Sequence, residues 1–336
     1  MNSFEQKTAI VTGCTGQDGS YLCDLLLSKN YKVVGLKRRT SLICTDRLDY
    51  IYNHPNFKME YFDLNDASCF WKLFHKYNPD EIYNLAAQSH VRVSFDVPEN
   101  TVDGIAMGTL RMLNAMKDVC PKARFYQASS SEMYGDTASK PPFDESTPMR
   151  PASPYACAKL FAHNLVRNYR ESYGLHLSSG ILFNHESPLR GETFVTRKIT
   201  MAASRIKLGL QHRLELGNLE AYRDWGYAPD YCEGMWRMLQ QPNGDDYVLA
   251  TGETHSVKEF LEETFEYAKL DYKKYVVINE RLYRPQEVPY LLGNFEKAKK
   301  ILGWKPKVGF KKLVQIMYDA DYQNSLLEKA TLEVTR

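Results

Sequence analysis

Two pairs of residues near the middle of the chain have the types and spacing of a proton-transfer site. Tyr155 and Lys159 are four residues apart, so they share one face if this segment is helical. Lys159 is then expected to lower the pKa of the Tyr155 phenol, which is ordinarily about 10. A phenolate can accept a proton from a sugar hydroxyl while a hydride leaves the same carbon.

Ser130 and Glu132 form the second pair. They are two residues apart, so an extended segment would point both side chains the same way. Oxidation of an alcohol needs only the hydroxyl, so the carboxylate indicates a further proton transfer. The alternatives are a solvated helix face for the Tyr–Lys pair and a polar loop for the serines. However, only Tyr155 among the 23 tyrosines has a lysine four residues later.

A glycine-rich loop near the N-terminus points to a dinucleotide. Residues 7–12 form a short apolar run that predicts a buried strand, and a helix is predicted over 20–28. The loop between them reads Gly-Cys-Thr-Gly-Gln-Asp-Gly. Small residues let the backbone approach a pyrophosphate, and the helix N-terminus offers free N–H groups. The order strand, loop and helix favours a dinucleotide site more than the glycines alone would.

The residues after the second predicted strand select between the two nicotinamide dinucleotides. NAD enzymes tend to place an acid there for the ribose hydroxyl, whereas this chain has Lys37, Arg38 and Arg39. Two guanidiniums would hold a 2′-phosphate, which a carboxylate would repel. The sequence therefore predicts NADP, with a solvated basic turn as the alternative.

Alternating strands and helices predict an α/β fold, a Rossmann-type doubly wound parallel sheet with a smaller, mixed α/β C-terminal substrate-binding portion. We expect an NADP-binding domain over 1–183, with returning segments near 223–250, and a nucleotide-sugar domain over 184–222 and 251–336. Among the predicted helices are 46–52, 101–119, 154–173 and 310–321, with frayed residues after the last. Ser256 and Glu259 have the spacing of a capping box.

Composition restricts the partners. The net charge of +2 is too balanced to suggest nucleic acid or an anionic membrane. Seven scattered cysteines without a CxxC are typical of reduced thiols, and the chain shows no hydrophobic signal region, which predicts a cytoplasmic protein. The histidines lack metal-ligand spacing, so no metal is expected. Lys198, Arg223 and Arg284 would suit a diphosphate if they converge, with surface ion pairs as the alternative.

Several longer stretches carry a resemblance that covers roughly residues 8–306. They are TGCTGQDGSYL, YQASSSEMYG, SPYACAKL, NHESPLRGETFVTRKI, YRPQEV and LGWKP. With these stretches the chain resembles the extended short-chain dehydrogenase/reductase family and, within it, the GDP-mannose 4,6-dehydratases. The resemblance implies that GDP-mannose is converted to GDP-4-keto-6-deoxymannose, that NADP is recycled in each turnover, and that the protein is a homodimer or homotetramer.

The resemblance also implies a role for each matching residue. Tyr155 would be the base for oxidation at C4, Lys159 would hold the nicotinamide ribose, Ser130 would supply the hydroxyl, and Glu132 would move the C5 proton. The NADP positions would be Gly13, Gly16, Gln17, Asp18, Arg38, Asp63, Leu64, Leu85, Ala86, Ala87, Ser89, Tyr155, Lys159, His185 and Arg190. The nucleotide-sugar positions would be Ser89, Ser130, Glu132, Asn184, Val195, Lys198, Gly217, Asn218, Arg223, Arg284 and Glu287.

Three positions depart from the family pattern and leave alternatives open. Ser130 stands where threonine is common, Leu189 replaces the first arginine of a pair, and Asn100 stands where tyrosine is common. A nucleotide-sugar 4-epimerase or a GDP-4-keto-6-deoxymannose reductase would share the Tyr–Lys pair, but an epimerase does not need Glu132. A second, NADPH-dependent reduction to a GDP-6-deoxyhexose such as GDP-rhamnose, and a non-enzymatic NADP-binding redox sensor, are the remaining hypotheses.

Overall fold

The computed structural model describes residues 6–334, which form thirteen strands. In chain order these are β1 Thr8–Thr12, β2 Lys32–Lys37, β3 Phe57–Tyr61, β4 Glu81–Asn84, β5 Arg124–Ser130, β6 Leu177–Leu182, β7 Asn184–Glu186, β8 Leu214–Leu216, β9 Tyr222–Arg223, β10 Trp225–Tyr227, β11 Asp246–Leu249, β12 His255–Ser256 and β13 Val276–Ile278.

Eleven α-helices accompany the strands. They are α1 Gln17–Ser28, α2 Ala67–Tyr77, α3 Val93–Asp96, α4 Pro98–Val102, α5 Gly108–Val119, α6 Pro154–Tyr173, α7 Val195–Lys207, α8 Ala228–Leu239, α9 Val257–Tyr267, α10 Glu296–Leu302 and α11 Phe310–Val334. A π-helical turn, Asp103–Met107, joins α4 to α5. None of the helices in the described part of the chain is long and apolar enough to cross a membrane.

Seven of the strands form one parallel sheet in the order β11-β6-β5-β4-β1-β2-β3. The sheet is covered by apolar residues on both faces: α1 and α8 pack on one side, and α2, α5 and α6 on the other. This is the doubly wound, Rossmann-type arrangement that the alternating pattern predicts. β11 lies far along the chain but joins the sheet as an edge strand beside β6.

The rest of the chain forms a smaller body around α7, α9 and α11. Their buried residues, among them Ile199, Phe260 and Met317, share one apolar cluster. Three two-stranded pairings, β7 with β10, β8 with β13 and β9 with β12, connect the segments that surround this cluster. The α9 helix begins with the expected capping box, in which the Ser256 hydroxyl accepts from the Glu259 N–H and the Glu259 carboxylate accepts from the Ser256 N–H.

Some predicted elements are wrong in extent. Residues 46–52 form successive turns, because the N–H groups of Leu48 and Ile51 bond three residues back and not four. The predicted helix 101–119 is interrupted by the π-helical turn. Residues after 321 continue α11 to Val334 and do not fray before it, since Ser325 is buried and Arg205 pairs with Glu328.

Five adjacent strands of the sheet each contribute one polar residue to a single row of register partners. Thr12, Asn84, Gln127, Ser179 and Asp246 are partners in register from β1 through β4, β5 and β6 to β11. The Thr12 hydroxyl donates to the Asn84 amide oxygen (3.0 Å), and the Asn84 amide donates to Gln127 (2.9 Å). Because partners in register point to the same face, these side chains form a buried polar row beneath α5 and α6.

Candidate active site

The first turns of α6 bring Tyr155 and Lys159 into the interior. The hydroxyl of Ser153 caps the helix by accepting from the Ala156 N–H, and Pro154 occupies the first position, where no N–H is needed. Both functional side chains lie on the buried face, with the Lys159 ammonium 5.7 Å from the centre of the Tyr155 ring. The same ammonium donates to the Ala128 carbonyl of β5 at 2.7 Å.

Ser130 and Glu132 reach the same place from the end of β5. The condition of an extended segment does not hold through Glu132, because Ser131–Met133 form a 3₁₀ turn. The Ser130 hydroxyl caps that turn by accepting from the Glu132 N–H at 3.2 Å. Both side chains are nevertheless buried, and the Ser130 hydroxyl lies near enough to the Tyr155 phenol to lower its pKa. The turn thus replaces strand geometry in directing the carboxylate.

The pKa of Tyr155 differs from the expectation. Burial raises it to about 12, the hydrogen bond with Ser130 opposes this rise, and the nearby Glu132 charge adds to it. Burial also lowers the pKa of Lys159 to about 8, against the attraction of Asp18. The prediction that Lys159 brings the phenol below its ordinary pKa is therefore wrong for the protein groups alone, because desolvation of the phenolate outweighs the lowering of the pKa by Ser130 and Arg190.

A chain of ion pairs joins Glu132 to the C-terminal part of the protein. Arg284 Nη1 lies 3.3 Å from Glu132 Oε1 and 3.4 Å from Glu287 Oε1. The same Glu287 oxygen accepts from Arg223 Nη2 at 2.7 Å. Arg223 is buried and also donates to two backbone carbonyls, those of Tyr222 and Val288. Two guanidiniums and two carboxylates from three segments that are far apart in sequence therefore meet near Tyr155.

The glycine loop approaches the end of β4 closely. Gly13 has φ +68, and a Cβ atom there would lie 3.1 Å from the Ala86 Cα. The Thr12 hydroxyl accepts from the N–H groups of Leu85 and Ala86, both at 3.0 Å, and thereby holds the chain just after the end of β4 at Asn84. Ala87 follows in the same loop. The loop needs glycine at position 13 both for its backbone conformation and for this approach.

Residues from the start of α1 are bonded to residues that follow β6. Asp18 Oδ2 lies 2.7 Å from His185 Nε2, and the Gln17 amide donates to the His185 carbonyl at 3.1 Å. Burial alone would raise the pKa of Asp18, but His185 and Gln17 hold it below its ordinary range. Burial alone would lower the pKa of His185, yet Asp18 raises it. A charged pair therefore stands beside the loop that ends at Gly16.

Arg190 and Arg38 occupy two other regions of the predicted cofactor site. The Arg190 guanidinium lies 3.8 Å above the Phe194 ring and 3.1 Å from Glu186. Its positive charge also lowers the pKa of Tyr155 and of Asp18. Arg38 and Arg39 line an open cleft with Asp63 and residues of the β3–α2 connection. Leu64 packs against Gly108 at the start of α5. Asp66, not Asp63, caps α2.

The remaining predicted residues lie around these groups. Val195 and Lys198 are in the first turn of α7, and Gly217 contacts Leu282 just before Arg284. Asn184 pairs with Trp225 between β7 and β10. Ser89 is in the loop after β4, and the Asn218 side chain accepts from the Glu220 N–H in a local turn. The structure shows no direct contact of these last two with Glu132 or Tyr155 within residues 6–334.

Sequence reasoning missed several buried polar residues that support the site. Thr12 orders the loop after β4, and Ser129 and His163 share a hydrogen bond behind Ser130. Polar residues in strands are a weak signal, since a single threonine or serine there is common. The spacing of His163, four residues after Lys159, was the available indication.

Comparison with known proteins decides between the families that share this fold. The profile described as GDP-mannose 4,6 dehydratase matches residues 10–317. The chain belongs to the GDP-mannose 4,6-dehydratase family. Membership places it among the short-chain dehydrogenase/reductase enzymes of nucleotide-sugar and deoxysugar metabolism, and it agrees with the sheet and the Ser–Tyr–Lys arrangement described above.

One relative supports this assignment, and two solved structures share the fold. GDP-mannose 4,6 dehydratase 1 of Arabidopsis thaliana is 54% identical over 334 residues, which are 96% of this chain and 92% of the relative. The solved structure of dTDP-glucose 4,6-dehydratase from Bacillus anthracis with NAD has a TM-score of 0.83 at 21% identity, covering 95% of this chain and 98% of that one. RMD from Pseudomonas aeruginosa with NADPH has a TM-score of 0.79 at 24% identity, covering 95% and 100%. These two structures share the fold of the family member described here.

Proposed function

We propose that this protein converts GDP-mannose to GDP-4-keto-6-deoxymannose and water, with NADP as a recycled cofactor. The observation that carries the proposal is Glu132, a buried carboxylate beside Ser130 and Tyr155 and paired with Arg284. An enzyme that only oxidises or epimerises C4 needs the phenol but not this acid. The family membership supports the identity of the sugar nucleotide.

The glycine loop and the basic cleft fit a nicotinamide dinucleotide phosphate. Gly13 and Ala86 leave a surface that a Cβ atom would fill, and α1 begins at Gln17 with free backbone N–H groups. Arg38 and Arg39 line the cleft where a 2′-phosphate would lie, with Asp63 opposite to accept from an adenine amino group. When bound, the nicotinamide would accept a hydride from C4 of the sugar and return it at C6.

The chain's own residues account for the proton transfers. Tyr155 accepts the proton of the C4 hydroxyl, with the Ser130 hydroxyl next to the phenol. The resulting ketone acidifies the C5 hydrogen, which Glu132 removes and passes to the C6 hydroxyl, so that this group leaves as water. A proton from solvent, delivered through Glu132, then restores the C5–H bond. Burial raises the pKa of Tyr155 to about 12, so the positive charge of an oxidised nicotinamide and of Lys159 would be needed to favour the phenolate.

The ion pairs at the far side of the site suit a nucleoside diphosphate. Arg223 is fixed by Glu287 and by backbone carbonyls, whereas Arg284 is more exposed and has two carboxylate neighbours. Guanidiniums recognise phosphate oxygens through paired N–H donors. We place the diphosphate of the substrate near Arg284, with Lys198 and Asn184 contributing from α7 and β7, and Val195, Gly217 and Asn218 near the sugar and base.

The decisive experiment incubates the purified protein with GDP-mannose in D₂O without added reductant. We expect a product lighter than GDP-mannose by one water that carries one solvent deuterium at C5, because the C5 proton is exchanged while the migrating hydride is not. Recovery of the C4 epimer would favour the epimerase alternative. Recovery of unchanged GDP-mannose from protein that contains bound NADP would reject the proposal and favour the redox sensor.

A second reduction can be tested in the same mixture. The phenol that accepts a proton from the C4 oxygen can also return one, which is the group a reductase needs. NADPH in excess should then be consumed and a GDP-6-deoxyhexose such as GDP-rhamnose should form. A flat NADPH absorbance in the presence of accumulated 4-keto product removes this activity without affecting the dehydratase proposal.

We also propose that two copies associate through α5, α6 and the segment before α5. Apolar side chains are exposed there, among them Val102, Met107 and Phe161, the last 47% exposed. Apolar side chains exposed on neighbouring elements are a feature of protein–protein interfaces, whereas a single exposed one is common on any surface. Phe161→Glu should convert a dimer or tetramer to smaller species in light scattering, whereas Tyr50→Glu, at another exposed aromatic position, should not.

A further inference from the structure

One face of α6 carries a third buried polar residue that the proposed chemistry leaves without a role. Tyr155, Lys159 and His163 follow one another at intervals of four residues and are all buried. Tyr155 and Lys159 belong to the proposed reaction. His163 is only 4% exposed and lies one turn beyond Lys159, too deep to contact a sugar.

The contacts of His163 connect α6 to two strands of the sheet. Its Nδ1 shares a 3.0 Å hydrogen bond with the Ser129 hydroxyl of β5, and its Nε2 lies 3.9 Å from Asp246 Oδ2 of β11. Arg170, two turns farther along α6, donates to both Asp246 oxygens at 3.0 Å. Asp246 also ends the buried polar row of the sheet.

The charge state of the ring defines the direction of the hydrogen bond. Burial lowers the pKa of His163, against the attraction of Asp246, so the ring is neutral near pH 7. With its proton on Nε2, facing Asp246, the ring accepts from the Ser129 hydroxyl at Nδ1. The opposite tautomer would leave the Asp246 carboxylate facing an unprotonated nitrogen.

Two consecutive residues of β5 are therefore hydrogen-bonded to two side chains on the buried face of α6. These two side chains are one helical turn apart. Lys159 donates to the Ala128 carbonyl, and Ser129 bonds His163. The next residue of β5 is Ser130, whose hydroxyl lies near enough to the Tyr155 phenol to lower its pKa. Any slide of α6 along β5 that changed the separation of Ser130 and Tyr155 would also have to stretch or break both of these hydrogen bonds.

We propose that His163 is a positioning residue, which acts through Ser129 to fix the end of β5 against α6 and thereby sets the separation of the Ser130 hydroxyl and the Tyr155 phenol. It contacts neither substrate nor cofactor. A misplacement of about 1 Å in such a pair can cost roughly 100-fold in rate. The proposal rests on the proposed function for its turnover assay, but not for its structural readout.

The test compares His163→Phe, Ser129→Ala and His163→Asn. The first two remove the hydrogen bond from opposite sides, and we expect kcat to fall about 10-fold or more with KM changed less than about twofold. In H163N the side-chain amide oxygen takes the place of Nδ1 and should restore kcat to within about threefold of the original protein. The double variant S129A/H163F should be no slower than H163F, because both changes delete one interaction.

Ser204→Ala is the matched control, since Ser204 is a fully buried serine whose hydroxyl donates only to the Thr200 carbonyl in α7. It should leave kcat unchanged. Crystal structures of S129A and H163F should show that the distance between the Ser130 and Tyr155 side-chain oxygens has increased by about 0.5 Å or more. Functional groups must be held to within about this distance of their productive geometry. This readout needs no turnover, so it remains decisive even if GDP-mannose is not the substrate.

The opposite results would overturn the proposal. A kcat of S129A within about twofold of the original, or independent and multiplicative losses in the double variant, would reduce His163 to a buried structural residue. An unchanged Ser130–Tyr155 separation would do the same. S129A and H163N keep the proposal testable if H163F does not fold, because both changes are small.

Discussion

Glu132 is the residue on which the proposed reaction depends. Its carboxylate is buried near the Tyr155 phenol, and one of its oxygens is paired with Arg284 at 3.3 Å. The other oxygen makes no ion pair within the described residues. A carboxylate held in this way has a fixed orientation and a free lone pair, which are the two properties needed to remove a proton from a bound sugar.

Glu132→Gln should keep substrate binding and lose dehydration. The amide oxygen can still accept from Arg284, so KM should change little, whereas removal of the proton acceptor should lower kcat by about 10²–10⁴-fold. Steady-state kinetics and deuterium incorporation at C5 measure the two effects. Glu145→Gln, a partly buried carboxylate that only accepts from the Val248 N–H, should remain fully active. Normal dehydration by E132Q would remove Glu132 from the mechanism.

Arg38 is expected to decide which dinucleotide is bound. Its guanidinium lines the cleft beside Asp63, and it would lose its phosphate partner with NAD. Arg38→Ala should weaken NADP binding about 10- to 100-fold and leave NAD binding nearly unchanged, since a charged hydrogen bond contributes about 1.5–3 kcal/mol. Titration calorimetry of both dinucleotides measures this, with the exposed Arg167→Ala as control. Equal weakening of NAD and NADP would contradict a phosphate contact.

At the scale of elements, α6 combines a structural and a functional role. Its first turn contains Tyr155, its second contains Lys159, and Arg170 near its end fixes Asp246 of β11. The N-terminus of the helix is held by the Ser153 cap. Any fraying of the first turn would therefore move the phenol directly.

Two N-cap substitutions separate stability from catalysis. Ser153→Ala and Ser256→Ala each remove a hydroxyl that accepts a backbone N–H, at 3.1 Å in α6 and 3.0 Å in α9. Each should lower the free energy of unfolding by about 1 kcal/mol. Only S153A should also lower kcat, because α9 carries none of the proposed catalytic groups. Denaturant unfolding and kinetics test this, and equal kcat losses would mean that helix fraying is not specific to the site.

At the scale of the whole molecule, Asp224 joins segments that are distant in sequence. Its fully buried carboxylate accepts from the N–H and hydroxyl of Thr251 and from the N–H groups of Gly252 and Gly293. Burial raises the pKa of Asp224 to about 6, although these hydrogen bonds lower it. Asp224 is next to Arg223 in the chain. Its hydrogen bonds therefore fix the segment that contains Arg223 against the residues that follow β11.

The raised pKa of Asp224 predicts a defined pH dependence of stability. Between about pH 6 and pH 4 the folded state takes up a proton that the unfolded state does not yet bind. The free energy of unfolding should therefore gain about 1 kcal/mol per pH unit from this group as the pH falls through that window. Asp224→Asn lacks the titration, so the stability advantage of the original protein over D224N should grow from pH 6 to pH 4. A pH-independent difference would contradict this account.

The local sequence pattern by itself determined the regular secondary structure of this protein. Apolar runs and four-residue spacings were enough for the parallel sheet, for α6 over Pro154–Tyr173 and for the capping box of α9. Tyr155 and Lys159 could be paired because four residues on a helix define a distance. Glu132 could be suspected from its type alone, although the turn that directs it was missed.

Only the tertiary structure decided which distant charges meet and how strongly burial acts on them. Glu132 and Arg284 are 152 residues apart in sequence, and their ion pair, continued by Glu287 and Arg223, exists because two segments fold over the end of β5. The polar row that ends at Asp246 requires the register of five strands. The raised pKa of Tyr155 depends on desolvation, which is a property of the surrounding packing and has no counterpart in residue spacing.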